Sequence, residues 1–173
     1  MFHRKSLHVA AELIFISLLG VSAANAENPQ CYTLASLEGN YALVGTYGAN
    51  VARSLSIRVY DGSGNLSSAF LVNEPKAGST TGERTIVTGT QTGTYIVNCD
   101  GTGTFTRFVT LADGSKSTVM DDFVITGAIV KHGQFLATAI QTAQRVPSTV
   151  VPGGIFLVQS LTRLPDRPGP TEP

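Results

Sequence analysis

No run of lysines or arginines interrupts this sequence, and its acidic and basic residues balance at 12 each. Phosphate backbones are held by clustered cations, so nucleic acid is not an expected partner. Histidine is nearly missing as well. His3 and His8 fall in the first 26 residues, which leaves His132 beside Gly133 in a turn-like pattern. A serine triad would have to use that one imidazole, and no Gly-x-Ser-x-Gly elbow is present. Zinc needs four ligands, and beyond residue 26 only Cys31, Cys99 and His132 could offer thiolate sulfur or imidazole nitrogen. No metal or cofactor is expected, and the sequence leans away from catalysis. The two cysteines lack Cys-x-x-Cys spacing, which argues against a redox centre. Tryptophan is absent altogether.

The front of the chain is an export signal in pattern. His3, Arg4 and Lys5 precede the apolar run Leu13 to Val21, and Ala24-Asn25-Ala26 gives a small-residue exit. Residues 1–26 are therefore set aside as a signal peptide, which takes away Arg4, Lys5 and Glu12 and leaves a formal charge of about −1. The run is shorter than the roughly 20 apolar residues that span a bilayer as a helix. No later stretch is long enough either, so no transmembrane segment is expected after the signal. The expected location is the periplasm or the medium. An even pair of cysteines in an exported protein favours a disulfide, so residues 27–36 are expected to be tied down through Cys31 and Cys99.

From Leu37 onward, Thr, Val, Ile, Tyr and Phe are punctuated by Gly, Asn and Asp at short intervals, the pattern of many short strands. The candidate strands are Gly39 to Val44, Ser54 to Tyr60, Leu66 to Leu71, Glu83 to Gly89, Gly93 to Asn98, Gly103 to Leu111, Ser117 to Thr126, Gln134 to Gln141 and Gly154 to Arg163. Asp61-Gly62, Asp100-Gly101 and Asp113-Gly114 supply the positive φ that tight hairpins need. Such a meander exposes edges unless it closes. An all-β, antiparallel up-and-down barrel of about eight strands is expected over residues 37–164, with a two-sheet sandwich as the alternative. Residues 165–173, with four prolines, are expected to form a disordered tail.

Side-chain alternation puts Phe105, Arg107, Val109 and Leu111 on one face, and Leu157, Gln159 and Leu161 on one face of the last strand. Asp121 and Asp122 are adjacent, so they point to opposite faces and cannot act as paired carboxylates without a bulge. The plainer reading leaves both near an exposed strand end. The sharper one turns one of them inward, as a ligand contact or a buried partner for an arginine. Tyr95, Arg107, Asp121 and Asp122 are thus the candidate ligand-binding residues. Asp61-Gly62-Ser63-Gly64-Asn65 has some of the spacing of a calcium loop but lacks its late bidentate glutamate, and a hairpin turn explains it.

Gly39-Asn40-Tyr41, Asp61-Gly62-Ser63-Gly64 and the stretch from Gly93 through Asn98 to Thr104 resemble a group of small secreted bacterial β-proteins of unassigned function. That resemblance covers roughly residues 37–163 and implies an exported single-domain β-protein. The chain is also weakly similar to the calycin barrels of the lipocalin and avidin type. There a Gly-x-Trp opens the first strand and packs on a basic residue from the barrel's end. The similarity implies a structural contact between Tyr41 and Arg163, with tyrosine standing where those barrels have tryptophan.

Three functions follow as expectations. The first is a non-catalytic binding or accessory module for a small apolar ligand. The second is a structural or interaction protein of the cell envelope, with a filled barrel and an envelope protein as partner. The third is a barrel-type isomerase or cyclase, which needs an inward carboxylate or tyrosine beside a cavity.

Overall fold

The computed structural model describes residues 31–47, 52–146 and 157–166. The expected signal peptide, the tail from residue 167 and the stretch Pro147 to Gly154, which its sequence marks as a longer connection before the last strand, lie outside the described residues. Eight strands follow a short 3-10 turn, Leu34–Leu37: β1 (Gly39–Tyr47), β2 (Ala52–Tyr60), β3 (Asn65–Pro75), β4 (Arg84–Val97), β5 (Thr102–Leu111), β6 (Lys116–Lys131), β7 (Gln134–Val146) and β8 (Leu157–Arg163). Each pairs antiparallel with the next, and β1 pairs with β8. Closure removes both edges, so the fold is an up-and-down barrel and not a sandwich.

Two candidate strands, Glu83 to Gly89 and Gly93 to Asn98, are one continuous β4. Gly89 and Gly93 punctuate the sequence without ending the strand. Both occupy interior-facing positions, where a Cβ would collide with Phe70 and with the backbone of β5. The stretch from Ala137 to Val146, whose sequence could also pass for a short helix, is strand, as Thr138 and Thr142 favour. The gap between the candidate strands ending at Leu71 and starting at Glu83, expected as a loop over Val72 to Gly82, is shorter than that, because β3 runs on through Pro75.

The turns owe their shape to their aspartates. Asp61 Oδ1 accepts from the Ser63 and Asn65 backbone N–H groups at 2.7 and 2.9 Å, and Oδ2 accepts from the Asn65 amide. Asp100 accepts from Thr102 N–H and hydroxyl, and Asp113 from Ser115 N–H at 2.8 Å. These bonds hold all three carboxyls below the usual carboxylate range. Gly101 follows Asp100 with φ +86°, a conformation most side chains resist. His132 sits exposed in the β6–β7 turn at φ +51°.

One end of the barrel is packed shut. Tyr41, Tyr60 and Tyr95 meet edge to face with ring centroids 5.3 Å apart, and Phe105 stacks on Phe123 at 4.3 Å. Pairs of this kind add about 0.5–1.5 kcal/mol each beyond the area they bury. Leu37 from the 3-10 turn is fully buried beneath them, and the Tyr95 hydroxyl donates to Leu34 O at 3.1 Å. The Cys31–Cys99 disulfide fastens this segment to the β4–β5 turn. The Arg163 guanidinium donates to the Tyr41 hydroxyl at 2.9 Å and lies 5.5 Å from that ring's centroid. The Tyr41 hydroxyl in turn donates to Ala137 O at 2.8 Å. The contact between Tyr41 and Arg163 is therefore present, with a tyrosine ring.

Packing away from water raises the tyrosine pKa values. Burial pushes Tyr41 up to about 12 against the opposing pull of Arg163, and pushes Tyr95 to about 12. Burial raises Tyr60 in the same direction. The native state therefore holds these protons where the unfolded chain releases them. Their contribution is complete below pH 10 and erodes as pH rises through about 12. For Tyr41 alone it amounts to roughly 2–3 kcal/mol. In an alkaline titration, tyrosinate absorbance is expected to lag behind that of the urea-unfolded chain and to rise together with loss of β-sheet ellipticity. A smooth native titration near the ordinary tyrosine value, with the barrel intact, would contradict this.

Candidate functional site

The opposite half of the barrel is hollow. Its cavity of about 270 Å³ lies just under the range of roughly 300–1,000 Å³ typical of small-molecule pockets. Leu43, Phe70, Val72, Val109, Val119 and Leu157 form apolar walls. Tyr47, Glu74 and Asp113 stand at the mouth, supplied by the ends of β1 and β3 and by the β5–β6 turn. Burial raises the Tyr47 hydroxyl's pKa, and the Arg107 charge draws it partly back.

The floor is polar, and its core is an ion pair. Arg107 donates from Nε and Nη2 to the two oxygens of Asp121, at 2.5 and 2.8 Å. Nη1 donates to Gln91 Oε1 at 2.8 Å, and the Gln91 amide donates to Ser68 Oγ. Four strands, β3 to β6, are thereby linked through the interior. A fork-on-carboxylate pair of this kind is the strongest side-chain arrangement available to a buried arginine. Beside it, Ser54 and Gln159 also line the cavity. Ser54 Oγ and Gln159 Oε1 have no hydrogen-bond partner, although the Tyr47 hydroxyl faces Ser54 outside bonding geometry. The Gln144 side chain accepts from Leu157 N–H at 3.1 Å and so fixes the start of β8.

Of the four residues expected to touch a ligand, Arg107 alone lines the cavity. Asp121 is inward and fully buried, and both its oxygens are engaged by Arg107. It is the buried partner rather than the ligand contact, and it presents no free base to the cavity. Asp122 is on the outer face, paired with Arg145. A register shift beside Asp121 gives β7 one extra residue, Arg145, at this point. The bulge leaves the two aspartates on opposite faces. Tyr95 belongs to the closed end, away from the cavity, because alternation along β4 puts it two inward positions beyond Gln91.

Sequence reasoning missed Gln91, Ser54, Gln159 and, above all, Arg58. Arg58 is fully buried on β2, its guanidinium carbon 5.6 Å from the centre of the Phe105 ring. The available signal was the alternation in Ala52–Tyr60, where Arg58 falls in phase with Ser54 and Tyr60 rather than with the exposed Leu55, Ile57 and Val59. Among the described residues no group of three or more His, Cys, Asp or Glu could hold a metal ion. The chain matches no family model, no curated protein and no solved structure.

Proposed function

We propose that this protein is an exported, non-catalytic binding module that holds one small amphipathic molecule inside its barrel. The carrying observation is the half-hollow interior, with apolar walls above a buried polar floor that keeps unpartnered oxygens at Ser54 and Gln159. Ligand sites in general combine apolar lining with a few convergent polar groups. The disulfide fits an oxidising compartment, and with the leader pattern it supports the periplasm or the medium as the location.

The test is thermal unfolding with a panel of small apolar molecules that each bear one polar group. At a hundredfold excess over Kd a ligand adds about 2.7 kcal/mol, a rise in Tm of several degrees. The same ligands should have no effect on Val109→Trp, which fills the cavity. A panel that never stabilises the protein, or stabilises the filled variant equally, would overturn the reading.

An envelope interaction protein is the second reading. It is favoured by an exposed outer row, Val44, Leu55 and Leu71, which register pairs side by side across β1 to β3.

A further inference from the structure

Three charged side chains are buried among the described residues: Arg58, Arg107 and Asp121, at 0, 4 and 0% exposure. Asp121 is fully taken up by Arg107, so two cations stand against one anion. The inter-strand segments outside the description, 48–51 and 147–156, contain no charged residue that could redress this. No nitrogen of the Arg58 guanidinium has a partner in good hydrogen-bond geometry; the Tyr60 hydroxyl faces it closely enough to ease its charge, but a neutral hydroxyl does not balance that charge. The Phe105 face supplies a cation–π contact. That contact does not replace the hydration or the carboxylate that a buried ion otherwise needs. Arginine cannot relieve the cost by shedding its proton at ordinary pH, although burial lowers its hold on it.

The surplus charge lies under a floor that still has donors to give. Of the five N–H groups of Arg107, three are committed to Asp121 and Gln91, which leaves one on Nη1 and one on Nη2. The Ser54 hydroxyl adds another. With water displaced, the field of Arg58 reaches an occupant of the floor far less screened than it would be in solution. Glu74 and Asp113 oppose an anion at the mouth, but Asp113 is exposed and Glu74 only part-buried, so solvent screens them more than it screens the buried floor.

We infer that the cavity takes an amphipathic monoanion, its carboxylate-like head on the Arg107 and Ser54 floor and its apolar body along Phe70, Val72, Val109 and Leu157. This rests on the binding function proposed above and names the ligand's chemical class. The head accepts hydrogen bonds from Arg107 and Ser54, and its charge offsets that of Arg58 from across the floor. Arg58 thus sets the preference for an anion without touching it.

Calorimetric titration with octanoate, octan-1-ol and octylamine tests this. Octanoate is expected to bind at least about tenfold more tightly than octanol, and octylamine most weakly. In Arg58→Met the octanoate advantage should fall severalfold while octanol affinity holds, the remainder coming from the Arg107 and Ser54 donors. The variant should be no less stable in urea, because it exchanges an unpaired charge for an apolar chain of similar length. Octanol binding as tightly as octanoate to the unaltered protein would overturn the ligand class and leave the binding module standing. No binding by any of the three would overturn both. An undiminished octanoate preference in Arg58→Met would overturn the role given to Arg58.

Discussion

Asp121→Ala is expected to cost the barrel about 3–5 kcal/mol, read as a drop in the urea midpoint at unchanged slope. The change removes the carboxylate that engages Arg107 and leaves two buried guanidinium groups, Arg107 and Arg58, in each other's field. Breaking one side of a buried pair is far worse than removing both. Arg107→Met combined with Asp121→Leu should therefore recover most of the loss. Asp122→Ala is the control, because its pair with Arg145 is half exposed on the outer face, and such pairs contribute about 0–1 kcal/mol. If the two aspartates prove equally costly, the ion pair is not what holds the waist of the barrel.

Replacing both Cys31 and Cys99 with serine is expected to remove about 4 kcal/mol, the chain-entropy value for a cross-link between residues 68 apart in sequence. The native contacts of the tethered segment persist in part: Tyr32 stacks on Phe135 at 4.9 Å and its N–H donates to Cys99 O at 3.2 Å. The loss should then appear chiefly as a lower urea midpoint, with faster hydrogen exchange at the Tyr32 amide than elsewhere. An unchanged midpoint on reduction would show that the segment is held by its packing alone.

The fold was legible because its signals are local. An Asp-Gly pair states its turn within four residues, and Phe105, Arg107, Val109 and Leu111 state their common face by alternation. Glycine misled at one place. Gly89 and Gly93 look like breaks, yet they are interior positions whose missing side chains make room for Phe70 and for the β5 backbone. The site was less legible, because what assembles it is register between strands far apart in sequence. Alternation puts Arg58 in phase with Ser54 and Tyr60, but polarity points the other way, since its neighbours Ile57 and Val59 are the apolar ones and they face outward. Asp121 could be narrowed to one face but not to a partner, because the pairing that brings β5 beside β6 with Phe105 opposite Asp121 is a tertiary fact. Tyr95 looked like a lumen residue. Its level in the barrel, and not its face, kept it out of the cavity.

A closed antiparallel barrel with an even number of strands must begin and end at the same rim. Here β1 starts beside the end of β8, where Leu164 N–H donates to Asn40 O, and the Cys31 tether lies at that same closed rim. A tag, a fused domain or a surface attachment joined at either flank therefore hangs from the sealed base. Immobilised in either orientation, the molecule stands like a cup with its opening turned outward, and a ligand arrives without passing whatever the barrel is fixed to.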